Sequence, residues 1–185
     1  MKNIAVIILV SLITSCNAQK KIIMKKFDIE KFNKNKNYLN RFIDTLDNGT
    51  IIEQNIGGDG YYEVIKKKKE YFEEYFEYFK SGKLKLGGEY FPNDFNKGVW
   101  KNYDEQGNLI KETNYDKGFD YTWEDLLKLL KKRKVDILGR YTTIRKEEGD
   151  WRFSYVEGIY IYDVIVDGKT GKILQDAKNE FEEGS

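Results

Sequence analysis

The sequence predicts an α+β protein that is mostly β-sheet: an antiparallel meander of β-hairpins, then one amphipathic helix and a C-terminal antiparallel β module. Aromatic residues make up 15% of the 185 residues, and 16 glycines stand against one proline, a balance that favours strands joined by tight turns. A pattern of tyrosine, glycine, leucine and tyrosine occurs twice, about 25 residues apart. Beyond the second copy the apolar residues recur about every 3.6 positions, which indicates a helix.

An export signal and a lipid-attachment site are predicted at the N-terminus. After a short charged start, residues 4–13 form an apolar run that is too short to span a bilayer stably. The run ends in Ile13-Thr14-Ser15-Cys16, which resembles the lipobox of bacterial lipoproteins. The resemblance implies that residues 1–15 are a signal peptide and that a diacylated Cys16 anchors the protein in the bacterial cell envelope, on its periplasmic or outer-membrane side. A buried N-terminal helix with an incidental cysteine is the alternative.

Residues 16–37 are predicted to form a solvated tether rich in lysine and asparagine, with seven lysines between Lys20 and Lys36. Contact of this segment with anionic lipid headgroups is an alternative. Loss of residues 1–15 removes only Lys2 among the charges, so that 31 of the 32 basic residues remain against 31 acidic ones. The lack of a net positive field argues against nucleic-acid binding.

Residues 38–118 are predicted to be a region of β-hairpins. Asn48-Gly49 is a strong two-residue hairpin signal. Gly57–Gly60 is interpreted as a plain turn, because it lacks the lysine and the helix of a phosphate-binding loop. The first predicted strands are Leu39–Leu46, Thr50–Ile56 and Tyr61–Ile65. The lysine run 66–69 is expected to face water or to mark an exposed edge.

Two hairpins of one pattern follow, Tyr78–Tyr90 and Tyr103–Tyr115, with turns closed by Gly82 and Gly107. Together with the link Phe95–Tyr103 they resemble the MORN-like repeat of many bacterial proteins, some of them antitoxins. That family is functionally diverse and largely non-enzymatic, so the resemblance implies a binding or scaffolding module.

The repeat also predicts the secondary structure of residues 71–79 and the face of the sheet on which each side chain of the two hairpins lies. Residues 71–79 fit a helix or a strand, and a strand is predicted because Tyr75 aligns with Trp100. Leu84 and Leu109 are predicted to be equivalent and to lie on one face of a continuous sheet. Strict alternation places on that face Leu84, Leu86, Gly88 and Tyr90 from the first copy and Leu109, Lys111, Thr113 and Tyr115 from the second.

The two faces of this sheet are expected to have different neighbours. The C-terminal helix is expected to cover the face that carries the leucines, although the C-terminal strands compete for that helix. The opposite face, with Ile110, Glu112 and Asn114, is then left open to solvent or to a partner. Exposed aromatic residues on it are the predicted docking patch.

Residues 119–185 are predicted to form a helix over 122–133 followed by antiparallel strands. Thr122–Asp125 resembles a capping box. The apolar face of the helix consists of Trp123, Leu126, Leu127 and Leu130. The predicted strands are Tyr141–Lys146, Trp151–Val156, Ile159–Val166 and Lys172–Leu174. The stretch Tyr162–Leu174 resembles a PepSY-type domain, whose exported members often accompany or inhibit peptidases; a plain hairpin turn is the equal alternative.

No catalytic or metal site is predicted. Histidine is absent, which removes the commonest general base and transition-metal ligand. Ser81 and Ser154 have turn and strand contexts, and Glu73 and Glu74 point to opposite faces of a strand, which does not suit a glycosidase pair. The turn at residues 167–171 lacks the ligand spacing of an EF-hand.

We therefore expect a non-catalytic, protein-binding or scaffolding lipoprotein, with its membrane contact through Cys16 and with no cofactor, metal or nucleic acid. The alternative is an immunity or antitoxin-like protein that neutralises an extracytoplasmic effector or inhibits a peptidase. An unrecognised hydrolase is the third reading.

Overall fold

The computed structural model describes residues 25–92 and 94–180, and these residues form two α-helices and two antiparallel sheets. The helices are α1 (Ile29–Asn35) and α2 (Trp123–Lys132). The strands of the first sheet are β1 (Arg41–Thr45), β2 (Ile51–Gly57), β3 (Gly60–Lys66), β4 (Glu73–Phe79), β5 (Leu84–Phe91), β6 (Phe95–Tyr103) and β7 (Leu109–Asn114). Those of the second are β8 (Thr143–Glu147), β9 (Asp150–Glu157), β10 (Tyr160–Asp167) and β11 (Ile173–Glu180). The predicted fold class is confirmed.

The first sheet is a meander in which each strand pairs with the next along the chain, from β1 to β7. The prediction that residues 71–79 are extended is confirmed by β4. Both repeat turns are closed by a glycine with positive φ, 78° at Gly82 and 93° at Gly107, a conformation that costs glycine little. The two hairpins are therefore built on the same local geometry.

A β-bulge occurs at the same place in both repeats, at Lys85 and at Ile110. Leu84 lies opposite Tyr78 and Leu86 opposite Glu77, which leaves Lys85 without a partner across the pair. In the second copy Leu109 lies opposite Tyr103 and Lys111 opposite Asn102, which leaves Ile110 without one. Because a bulge adds one residue to one strand, the residues after it change sides.

The bulges confirm one facing prediction and correct another. Leu84 and Tyr103 belong to the same apolar cluster, and Leu109 is opposite Tyr103, so Leu84 and Leu109 do share a face, called here the leucine face. Beyond each bulge the side chains still alternate, but each lies on the face opposite to the one that strict alternation predicts. The face opposite the leucine face is called here the aromatic face. The prediction is wrong for the residues that follow the bulges. The structure places Leu86, Gly88, Tyr90, Lys111, Thr113 and Tyr115 on the aromatic face, and Glu112 and Asn114 on the leucine face.

The first sheet is covered on its leucine face by residues 25–35. Phe27 stacks on Tyr61 with ring centroids 4.5 Å apart, and Phe32 of α1 is fully buried. Lys25 forms an ion pair of 2.6 Å with Glu63, which is itself buried. The expectation of a solvated tether is therefore wrong from residue 25 onward, because the apolar side chains between the lysines pack against the sheet.

The helix α2 covers the second sheet and not the leucine face, which corrects that expectation. Its capping box is present, since the Thr122 hydroxyl accepts from Asp125 N–H and the Asp125 carboxylate accepts from Thr122 N–H. Leu126 and Leu130 are fully buried, and Leu127 is half-buried. The alternating side chains that they meet from β8, β9 and β10 are Ile144, Trp151, Phe153, Tyr155, Val164 and Val166.

The two sheets share one apolar cluster where the β5–β6 hairpin meets α2 and β9. Phe91 and Phe95 stack on each other at 5.4 Å, and the Phe95 ring lies 5.2 Å from Trp151. The aromatic rings of this junction also surround Lys146, whose side chain is 9% exposed. Its ammonium group pairs with Asp116 and donates to the Tyr115 carbonyl at 3.2 Å. The junction thus joins the sheets through both apolar packing and a buried charge.

Candidate functional site

A row of aromatic rings crosses the aromatic face from β3 to the end of β7. Tyr62 of β3, Tyr75 of β4, Trp100 of β6 and Tyr115 after β7 follow one another with ring centroids 6.4, 5.9 and 5.9 Å apart. Tyr90 of β5 adds an edge-to-face contact with Tyr75 at 6.2 Å. At these separations neighbouring rings touch, so the row is a continuous apolar surface.

Two glycines allow rings of this row to lie close against the backbone. A Cβ atom at Gly88 would come within 2.3 Å of the Trp100 indole, and one at Gly57 within 2.3 Å of the Tyr62 ring. The Trp100 indole N–H donates to the Glu89 carbonyl at 2.9 Å, which holds the ring over Gly88. Gly57 is the last residue of β2, whereas Gly88 lies inside β5, where glycine is otherwise unfavourable. The close approach of the indole is what the sheet gains from Gly88.

Carboxylates hold two tyrosine hydroxyls of the aromatic face. The Tyr75 hydroxyl donates to Glu77 at 3.0 Å, and the Tyr90 hydroxyl donates to Glu73 at 2.6 Å. Burial raises the pKa of both phenols, and the neighbouring carboxylate raises it further. Both hydroxyls therefore stay protonated at neutral pH and act as fixed donors that orient the rings.

The charged groups beside the row are paired with one another. Glu53 lies 2.7 Å from Arg41 and 3.3 Å from Lys66, and Lys66 lies 3.6 Å from Glu73. Burial opposes ionisation of Glu53, but the hydrogen bonds and charges of its two basic neighbours bring its net pKa below the usual value. The row is therefore flanked by neutralised charge and presents chiefly apolar surface.

The row ends at an exposed sheet edge, formed by β7. Leu109 is 49% exposed and Ile110 is 63% exposed, and no described residue pairs with the outer side of this strand. Val99 and Tyr115 next to it are also exposed. The aromatic face and this edge together form the candidate site.

The opposite edge, at β1, is occupied at its first residue by the segment that precedes it. Asn37 accepts a hydrogen bond from the Arg41 backbone N–H at 3.1 Å through its side-chain oxygen. Lys31 of α1 lies 2.7 Å from Asp44. The start of the β1 edge is therefore covered by residues 37–40, whereas no described residue pairs with the outer side of β7.

The residues weighed from sequence for chemistry are spread over the molecule. Cys16 and the predicted signal peptide lie outside the described residues. Glu73 and Glu74 are on opposite faces of β4, as predicted, since they pair with Tyr90 and Glu89. Among residues 25–92 and 94–180, no group of three or more His, Cys, Asp or Glu is placed to hold a metal ion.

The turn after β10 is closed by its own hydrogen bonds. The Asp167 carboxylate accepts from the Thr170 hydroxyl at 2.7 Å and from the Thr170 backbone N–H at 2.6 Å. This arrangement is that of an Asx-type turn, and it occupies the carboxylate within the loop.

No helix in the part of the chain that the structure describes is long and apolar enough to cross a membrane. Comparisons with family models, curated proteins and solved structures found no match to this chain.

Sequence reasoning missed the membership of the aromatic row, because the bulges reverse the side on which each side chain falls. Tyr62 was not singled out, and Tyr90 and Tyr115 were placed on the wrong face. A usable signal was present at Gly88, because a glycine inside a predicted strand allows a large side chain of a neighbouring strand to lie against the backbone.

Proposed function

We propose that this protein is an exported lipoprotein, anchored by an acylated Cys16, that acts as a non-catalytic module for binding another protein. The observation that supports the proposal is the row of rings from Tyr62 to Tyr115, which no described residue covers. Tyrosine and tryptophan are the residues most enriched at the energetic centres of protein interfaces. Rings already held by glycine contacts and hydroxyl bonds lose little freedom on binding, which favours association.

The anchor is supported by the order of charge, apolar run and small residues that ends at Cys16. Acyl chains contribute roughly 0.8 kcal/mol per buried methylene, so that two or three of them hold a protein durably on a membrane. A binding module held in this way meets its partner at the surface of the envelope. The MORN-like and PepSY-like resemblances are consistent with such a module and are part of the proposal.

Site-specific photocrosslinking tests the binding face. The full-length chain is produced in its own cells with a benzophenone amino acid at position 115, at the end of the row, and separately at position 38. Tyr38 is 91% exposed and lies before β1, away from the row, so it is the matched control. We expect one protein adduct at 115 that is absent at 38 and that weakens in the Trp100→Ala variant.

Adducts of equal pattern at both positions, or no dependence on Trp100, would contradict a specific surface. A captured protein with toxin or peptidase activity that the lipoprotein suppresses would identify the immunity-type alternative.

The anchor has a separate test in Cys16→Ser. We expect this variant to be released from the membrane fraction, because acylation supplies essentially all of the membrane affinity. Its far-UV circular dichroism spectrum is expected to be the same as that of the wild type. Retention of the variant on membranes would assign the anchor to another surface, such as the lysine-rich segment 20–36.

A further inference from the structure

We propose that β7 accepts an extended segment of the partner protein as an eighth, antiparallel strand of the first sheet. The inference rests on the proposed binding function and specifies how the partner is held. It is carried by the internal repeat, by the direction of the backbone groups of β7 and by the chemistry of the side chains along it.

The repeat makes β5 and β7 equivalent strands. Each begins with a leucine directly after the glycine turn, and each carries a bulge at its second residue, Lys85 or Ile110. On its far side β5 pairs with β6, whereas β7 has no described strand on its far side. In repeat architectures each unit is completed by the next one, and a terminal unit needs a cap. Leu109 and Ile110 expose apolar surface at this edge, where no described residue forms such a cap.

The backbone of β7 presents free donors to that side. Tyr115 N–H donates to the Gly98 carbonyl at 2.9 Å, so it points toward β6. Because donors alternate along a strand, the N–H groups of Glu112 and Asn114 point outward. Among the described residues neither N–H has a hydrogen-bond partner. A strand that docks along β7 satisfies them, which is the mechanism of recognition by strand addition.

Side chains along β7 define what the added segment contains. By the repeat, Glu112 corresponds to Gly87, which lies opposite Lys101 of β6. On its β6 side, Glu112 already lies opposite Lys101, with 3.1 Å between the ammonium group and the carboxylate. By the same pattern, we expect the residue of the incoming strand opposite Glu112 to be basic. Opposite charges directly across a strand pair favour that register.

A second position sets a size limit. Thr113 corresponds to Gly88, over which the Trp100 ring lies with no room for a Cβ atom. A tryptophan in the added strand therefore cannot lie flat over Thr113. The segment that fits β7 resembles β6 with a small or β-branched residue in place of that tryptophan.

The test uses a peptide copied from the chain itself. The probe is a fluorescein-labelled peptide of residues 95–103 that carries the change Trp100→Thr. The unmodified copy is the comparison peptide. Anisotropy is measured against the full-length chain in detergent micelles. We expect saturable binding of the threonine peptide, at least about tenfold tighter than that of the tryptophan peptide, which corresponds to about 1.4 kcal/mol.

Two proline variants compare the edges. Glu112→Pro removes an outward N–H of β7 and is expected to weaken binding by at least tenfold, while Ile43→Pro removes an outward N–H of β1 and is expected to leave binding unchanged. The outward direction at β1 follows from Leu46 N–H, which donates inward to Thr50. Circular dichroism checks that both variants fold.

A charge exchange keeps the proposal falsifiable if the proline variants do not fold. Glu112→Lys in the protein is expected to weaken binding of the peptide, and Lys101→Glu in the peptide is expected to restore it. Absence of peptide binding, equal loss in both proline variants, or no rescue by the charge exchange would overturn strand addition. The photocrosslinked adduct at position 115 would persist in that case, so the proposed function and this inference can fail separately.

Discussion

The two sheets of this protein are both antiparallel, but they hide their apolar side chains by different means. The second sheet places Trp151, Phe153 and Val164 under α2, whose Leu126 and Leu130 are fully buried. The first sheet is covered on its leucine face by residues 25–35, and on its other face the aromatic rings lie against strand glycines and one another. Among the described residues, the aromatic face is therefore ordered by contacts within the sheet itself, without a covering helix or strand.

The largest expected effect tests the helix-covered sheet. Leu126→Asp places a charge in the centre of the cluster and is expected to destabilise the protein by about 3–5 kcal/mol, because the carboxylate is buried without a partner. Leu127→Asp is the matched change at a half-buried neighbour, where the carboxylate can reach water, so its cost is expected to be smaller. Urea unfolding followed by circular dichroism measures both, and equal costs would mean that α2 is packed differently.

The coupling between the sheets is tested by Lys146→Met. This change removes an ammonium group that pairs with Asp116 among the rings of the junction, and its expected cost is about 1.5–3 kcal/mol. The control Lys101→Met breaks an exposed pair with Glu112 and is expected to cost less than about 1 kcal/mol.

Unfolding of the Lys146 variant is followed by both tryptophan fluorescence and circular dichroism. If the transitions measured by the two probes coincide, the two sheets unfold as one unit. If they separate in the variant, the contact between Lys146 and Asp116 is what couples the unfolding of the two sheets.

The face ordered by aromatic rings is tested by Gly88→Ala. The new methyl group overlaps the Trp100 indole and must displace it, at an expected cost of about 1–3 kcal/mol. Gly58→Ala is the control, because a Cβ atom there meets nothing within 4 Å. Thermal unfolding measures stability, and a change in tryptophan emission reports displacement of the ring. An unchanged spectrum and melting curve would show that the ring is not held against the strand.

The dependence of stability on alkaline pH gives the smallest expected effect. Burial and Glu63 raise the pKa of the Tyr78 hydroxyl far above its usual value of about 10. The unfolded chain releases this proton above pH 10 while the folded protein keeps it, so stability falls as the pH rises beyond that point. Tyr78 contributes about 1.4 kcal/mol per pH unit to this fall.

The variant Tyr78→Phe isolates this contribution from that of the lysines. Urea unfolding at pH 8 and pH 11 is expected to show a shallower fall for the variant than for the wild type. Equal slopes would mean that Tyr78 ionises in the folded state.

Much of the fold followed from sequence because its determinants are local. Asn48-Gly49, Gly82 and Gly107 specify turns over a few residues, the capping box marks the start of α2, and composition separates strand from helix. The repeat resolved residues 71–79, since the equivalent segment around Trp100 is unambiguous strand. The sequence alone specified the kinds and order of the strands and of α2 and the equivalence of Leu84 with Leu109, but it missed α1, which lies in the segment predicted to be a tether.

The candidate site depended on longer-range geometry. One bulge in each repeat moves Tyr90 and Tyr115 to the face of Trp100, and no local pattern shows where the extra residue falls. Phe27 lies in a lysine-rich segment whose composition indicates solvent exposure. It is buried because it stacks on Tyr61, which is far away along the chain. Only the three-dimensional fold shows which face the described residues leave uncovered and that none of them pairs with the outer side of β7. Side-chain facing and covering depend on contacts between distant segments.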